Sequence, residues 1–253
     1  MKLNSEQKSR YARHIALAEV GTEGQVALLS ARVLVVGAGG LGSPVLLYLA
    51  AAGVGTLGIV DFDTVDLSNL QRQIVHGEET IGEPKVKSAA ERLAELNPDI
   101  TIKTHRTRFT LENAPDLVDQ YDLIVDGSDN FTTRYLLNDA CYFAEKPLVA
   151  AALLRFEGQL STFKPYLDGE NHPCYRCLFP SPPAPGSAPR RGPRPRHPRA
   201  APALHPAAAA APRHRRPRLL QPLARGGRGG RRGRRRGGGG GGGGGRRGGG
   251  GGR

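Results

Sequence analysis

Gly37, Gly39, Gly40 and Gly42, in the segment GAGGLG, follow the apolar run RVLVV and open a longer apolar stretch. Glycine lets the backbone turn sharply there and approach an anion closely, while the unpaired N–H groups of a helix start point at that anion. Asp61 stands 24 residues beyond Gly37, at the end of the next apolar run, where a carboxylate accepts hydrogen bonds from ribose hydroxyls. A tight turn beside a surface aspartate is the plain alternative; the strand, loop, helix and strand around the glycines favour a nucleotide, with NAD as the default. The next stretch, DFDTVDLSNLQRQ, argues against NAD. Asn69 and Arg72 follow the carboxylate closely, and Lys85 opens the following helical pattern. Two cations and an amide suit a triphosphate, whose charge must be neutralised during attack at phosphorus, and hydride transfer has no such need. Taken singly, Arg72 and Lys85 read as solvated surface residues; their meaning comes from the set.

DGSDN, residues 126–130, ends another apolar run. Ligands of open α/β sheets bind at the carboxyl edge of the strands, so this segment belongs with the glycine loop. Asp129 suits Mg²⁺, which takes a few carboxylates together with phosphate oxygens and water. Asp126 reads as a strand-end cap and Asn130 as a nucleotide contact. Arg134, one helical turn on, either faces the same ligand or forms a plain helix salt bridge. Cys174 and Cys177 supply two soft ligands in a tight turn, half of a tetrahedral zinc site, or else a thiol or redox pair. Cys141, among apolar residues, reads as a small buried hydrophobe.

These residues need a frame. Asn4 or Ser5 is set to cap a first helix, and GTEGQVALLSA predicts a second. RVLVVG is a β-branched run of the kind buried on both faces of a parallel sheet. The apolar helix after the glycines should end at Gly53 or Gly55, before the strand TLGIVDFD. Pro84 and Pro98 bracket an amphipathic helix. DITIKTH, DLIVDGSD and PLVAAALL read as further strands, NFTTRYLLNDACYFAEK as the helix between the last two, and EGQLSTFKP as an antiparallel edge strand. The order β-α-β-α-β-α-β predicts an α/β fold: a doubly wound, Rossmann-like, mostly parallel sheet with helices on both faces.

Composition divides the chain. Net charge is +13 over 253 residues, yet all 23 acidic residues precede Leu178, whereas 19 of the 36 basic residues, every one an arginine, follow it. The first part carries −6 and the rest +19. Residues 1–180 therefore read as one nucleotide-binding domain and 181–253 as a disordered low-complexity tail, which buries too little apolar surface to offset the entropy of ordering. No apolar stretch reaches about 18 residues, which argues against a membrane span. Three cysteines are too few for a disulfide scaffold, and no basic-then-apolar leader precedes the first helix, so a cytoplasmic setting is expected.

RYARHI, RVLVVGAGGLGSPVLLYLAAAGVGTLGIVDFDTVDLSNLQRQ, IGEPKVKSAAERL, DGSDNFTTRYLLNDAC, RFEGQLSTF and PCYRCLFP together resemble the MoeB/ThiF/HesA family, relatives of the ubiquitin-activating enzymes, and among them the molybdopterin-synthase adenylyltransferase (MoeB/MoeZ) type, including versions with a C-terminal rhodanese domain. The resemblance implies an adenylyltransferase that joins the C-terminal Gly-Gly carboxylate of a small ubiquitin-like sulfur carrier, MoaD- or ThiS-like, to the α-phosphate of MgATP, releasing pyrophosphate. It implies phosphate contacts at the glycine loop around Gly40, ribose at Asp61, triphosphate contacts at Ser68, Asn69, Arg72 and Lys85, and metal at Asp129 beside Asn130. It also implies a homodimer in which Arg13 reaches the partner's nucleotide site. The family's second cysteine pair does not occur after Cys177, which leaves zinc binding incomplete.

The likeness stops near Ala188. From Arg190 onward only Ala, Pro, Arg, Gly, His, Leu and Gln occur, all with codons that begin with C or G, as in a GC-rich gene read out of frame. The tail thus reads as a frameshift product, and the chain as impaired in carrier adenylylation. Two other classes compete. An Arg-Gly arm would bind nucleic acid without sequence preference, but it has no Phe or Tyr to stack on bases. A Rossmann oxidoreductase would leave Asn69, Arg72, Lys85 and Asp129 without a task.

Overall fold

The computed structural model describes residues 2–167 and 172–182. The break near Ala188 and almost the whole tail lie outside the described residues. Asn4 caps α1 (Ser5–Arg10): its side chain accepts from the Gln7 N–H, and the Gln7 side chain accepts from the Asn4 N–H. α2 (Ala12–Ile15) and α3 (Gly21–Ser30) follow, with Tyr11 and Leu29 buried between them and Leu3. β1 (Arg32–Val36) runs into the glycine loop and α4 (Gly42–Ala52), which ends at Gly53. β2 (Thr56–Val60) is followed by two short 3₁₀ turns, Leu67–Asn69 and Glu78–Thr80, and by α5 (Lys85–Leu96), whose cap is Pro84. β3 (Thr101–His105), α6 (Ala114–Asp119), β4 (Leu123–Asp126), α7 (Phe131–Phe143), β5 (Leu148–Leu154), β6 (Glu157–Phe163) and α8 (Tyr175–Leu178) complete the order. α6 and α8 add to the expected elements, and each is too short to impose a helical period on the sequence.

The strand order is β3-β2-β1-β4-β5-β6, parallel throughout except for the antiparallel β5–β6 pair. This is the doubly wound order, and the chain reverses direction across the sheet between β1 and β4. Alternate residues of β1 feed two cores. Val33 and Val35 join Leu46, Ala50, Leu57, Ile59 and Leu93 on one face; Leu34 and Val36 join Val118, Tyr121, Ile124 and Leu137 on the other. Among the described residues no helix is long and apolar enough to cross a membrane.

Candidate active site

Strand register brings three loops to one point. Val36 pairs with Val60 on one side and with Asp126 on the other, so Gly37, Asp61 and Gly127 leave the sheet on the same rung. Gly37 donates to the Val60 carbonyl at 2.8 Å and Gly127 to the Val36 carbonyl at 2.9 Å. Gly37 lies at φ +100°, a conformation L side chains rarely adopt, and a Cβ on Gly42 would stand 1.8 Å from the Gly37 oxygen. The loop therefore folds back on itself as only glycine permits. A Cβ on Gly127 would stand 3.0 Å from that same oxygen, so the 126–130 turn packs directly on the loop.

Asp61 is built into this junction. One oxygen accepts the Ala38 N–H and the other the Asp63 N–H, both at 2.8 Å, which holds the carboxylate at the mouth of the loop and leaves each oxygen a second lone pair. Arg108 lies 3.5 Å over the ring of the neighbouring Phe62. Arg72 lies along the loop, its Cδ 3.4 Å from where a Gly40 Cβ would be. Its guanidinium donates to the Asn69 side-chain oxygen at 2.9 Å and the Ser68 carbonyl at 3.3 Å. The Ser68 N–H and hydroxyl donate to Asp66, and these bonds hold the Asp66 carboxyl below the usual carboxylate range. Ser68, Asn69 and Arg72 thus form one cluster beside the glycines.

Lys85 is only 5 % exposed and its ammonium reaches Asp63 at 3.1 Å. Asp129 and Asn130 are exposed at the start of α7, where the Asn130 side chain caps the helix by accepting the Thr133 N–H at 2.8 Å. Arg134 is buried; it lies 3.1 Å from Asp126 and donates to the carbonyls of Ser128 and Ala151, both at 3.0 Å, so it ties the 126–130 turn to β5. Asp126 is 1 % exposed, and burial pushes its carboxyl up despite Arg134 and Ser128. The Oδ2 atom beside Arg134 forms an ion pair without an aligned hydrogen bond. Burial, and next the Asp126 charge, push the Cys141 thiol up to about 12, as suits an inert core residue. Arg13 is exposed on α2.

The Cys174 and Cys177 sulfurs stand 3.6 Å apart. Their turn is docked by Tyr175, packed against Tyr135, Phe163 and Phe179, and by Arg176, which clasps both oxygens of Asp139 at 2.6 Å. Among the described residues no three Cys, His, Asp or Glu side chains gather as a metal set, so the pair does not make up the four ligands of a closed structural zinc site.

Four contributors escape sequence reasoning. Asp63, the second acid of DFD, carries a weak signal in its two-residue spacing from Asp61. Gln73, His76 and Gly127 carry none. Gln73 is 3 % exposed, and its side-chain oxygen has no hydrogen-bond partner. Its amide nitrogen lies 3.8 Å from where a Gly39 Cβ would be. An amide oxygen only accepts, so the partner it would take is a hydrogen-bond donor rather than a phosphate oxygen.

The ThiF family profile matches residues 11–197. The adenylyltransferase and sulfurtransferase MOCS3 of Culex quinquefasciatus is 53% identical over 184 residues, covering 73% of this chain and 41% of that protein. The sulfur carrier protein adenylyltransferase of Thermus thermophilus is 52% identical over 190 residues, covering 75% of this chain and 70% of that protein. Among solved structures, E. coli tRNA N6-threonylcarbamoyladenosine dehydratase in complex with ATP aligns with a TM-score of 0.56 and 26% identity, over 59% of this chain and 61% of that one. The chain spans less than half the length of the MOCS3 relative and about two thirds or more of the Thermus enzyme. With its glycine loop, its Asp61 junction and a family match across most of its length, the chain belongs to the ThiF family.

Proposed function

We propose that this chain is an adenylyltransferase of the type that activates the C-terminal carboxylate of a small ubiquitin-like sulfur carrier with ATP, for molybdopterin, thiamine or related sulfur transfer, and that its carrier adenylylation is impaired by the change of sequence near Ala188. The observation that carries the reading is the loop at Gly37–Gly42, closed on itself, with Arg72 lying along it and the Asp61 carboxylate held at its mouth. The names of the MOCS3 and Thermus relatives support it. A carrier carboxylate oxygen attacks the α-phosphorus, a new P–O bond forms, and the bond from the α-phosphorus to the bridging oxygen breaks as pyrophosphate leaves. Asp61 orients the ribose, Asn69 and Ser68 hold Arg72, and Arg72 and Lys85 offset the charge that builds on the phosphates. Asp129 would hold Mg²⁺, which when bound neutralises further phosphate charge. Arg134 serves the site by bracing the 126–130 turn.

The reading extends to a homodimer, with Arg13 completing the partner's site, and to a cytoplasmic setting, in keeping with three free thiols at Cys141, Cys174 and Cys177. Nucleic acid would bind only non-specifically, through the arginines beyond Leu178. Calorimetry on the full chain tests the nucleotide. MgATP should bind more tightly than NAD, and the reverse order sinks the proposal. Asp61→Ala should weaken every adenosine nucleotide alike, whereas Asp129→Ala should remove the Mg²⁺ dependence of ATP binding. Pyrophosphate exchange in the presence of a purified sulfur carrier tests the chemistry.

A further inference from the structure

Ala38 is gripped from two sides. Its N–H donates to Asp61 at 2.8 Å, and its carbonyl faces His76 Nε2 at 3.0 Å. His76 is 7 % exposed, and its Nδ1 lies 2.9 Å from the Ser88 hydroxyl on α5. A carbonyl only accepts, so Nε2 carries the proton and Nδ1 accepts from Ser88. The Ser88 oxygen is in turn 2.9 Å from the Thr80 hydroxyl, which anchors the chain of bonds in the turn before α5. The imidazole is thereby fixed in one tautomer by groups far from the glycines in sequence.

A trans peptide unit is planar, with its C=O and N–H pointing in opposite directions. Drawing the Ala38 carbonyl onto a buried imidazole therefore turns the Gly39 N–H the other way. Among the described residues no backbone oxygen accepts that N–H. We propose that His76 is a positioning residue for the anion site: by holding the Ala38–Gly39 peptide it aims the Gly39 N–H at the bound phosphate. His76 acts on the nucleotide only through the loop, and the proposal rests on reading that loop as a nucleotide site.

The test is calorimetry of the full chain with adenosine and with MgATP, for wild type, His76→Leu, His76→Gln and Ser88→Ala. Adenosine lacks phosphate, so it reports the Asp61 end of the site alone. His76→Leu should weaken MgATP about tenfold or more, the order of one hydrogen bond to a charged group, and leave adenosine within about twofold. His76→Gln, whose amide offers N–H donors and a carbonyl acceptor, should recover most of the MgATP affinity. Ser88→Ala keeps the ring but loosens its tautomer and should cost about threefold, on MgATP only, which decides the matter if His76→Leu fails to fold. Equal weakening of both ligands, MgATP affinity unchanged in His76→Leu or Ser88→Ala, or a glutamine variant no better than leucine would overturn the proposal. A wild-type chain that binds neither ligand would instead remove the nucleotide reading beneath it.

Discussion

At the scale of single residues, charge burial decides what the site tolerates. Lys85 keeps its ammonium nearly out of water because Asp63 meets it, while Asp63 itself remains half-exposed. Removing one partner of a buried pair costs about 3–5 kcal/mol, and the exposed side of this pair reduces that, so Asp63→Ala should destabilise the fold by about 1–2 kcal/mol. Urea midpoints measure it, and adding Lys85→Met should restore much of the loss; a single variant as stable as wild type would refute the coupling. Two histidines add a pH dependence. Burial depresses His76, against the pull of the Ala38 carbonyl, and burial with the Lys103 charge depresses His105, both below the ordinary 6.5. The unfolded chain then takes up protons that the folded chain refuses, so stability falls as pH drops below about 6.5. Urea midpoints at pH 8 and 5.5 should show this loss in the wild type and a shallower one in His76→Gln/His105→Gln. An unchanged slope would mean that other groups govern the response.

At the scale of elements, the junction of β1 and α4 is the sensitive part. The Gly37 oxygen occupies the space a Gly42 side chain would need, so Gly42→Ala forces apart the loop and the helix start. Overpacking of this kind costs about 1–3 kcal/mol, and on the proposed reading the displaced helix start also carries N–H groups that would face the phosphate. The variant should fold with a lowered melting temperature and lose most of its MgATP affinity, whereas Ala51→Gly on exposed α4 surface should cost about 1 kcal/mol and leave binding intact. Calorimetry and thermal melts on the pair check this, and full binding by Gly42→Ala would show that the loop is not the phosphate cradle.

At the scale of the whole molecule, the chain leaves apolar surface exposed at the edge of its sheet. β6 ends the sheet among the described residues, with Leu160 largely exposed and Phe156 fully so at the hairpin tip. Exposed apolar edge strands invite association. If sites are shared across a dimer, mixing Arg13→Ala with Asp129→Ala should regenerate activity. Half of randomly mixed dimers carry one of each chain, and each of those holds one intact site, so about a quarter of wild-type pyrophosphate exchange should return. Silence in the mixture, with both variants folded, would confine Arg13 to its own protomer.

What was legible in the sequence was local or periodic. The β-branched runs, the proline brackets of α5, the Asn4 cap and the glycines between β1 and α4 each declare themselves within a few residues, because strand, helix and turn geometry impose short repeats and steric demands. The doubly wound order followed from the alternation of those elements, and the structure has it. The support of the site was not legible. His76 meets Ala38 from 38 residues away and Lys85 meets Asp63 from 22. Neither separation leaves a period, and an isolated histidine or lysine reads as surface until the fold buries it. The same holds for Arg134, where sequence allowed either a ligand contact or a helix salt bridge, and for Gly127, whose need for glycine arises only where two loops from distant strands touch. Sequence alone determined the longer elements, though not the short α6 and α8, and which chemistry the exposed motifs suit. Tertiary structure decided which side chains lose water, and so which charges must be paired, which histidine tautomer is held and which way the Ala38–Gly39 peptide turns, because burial and long-range contact exist only once the sheet brings β1, β2 and β4 to one edge.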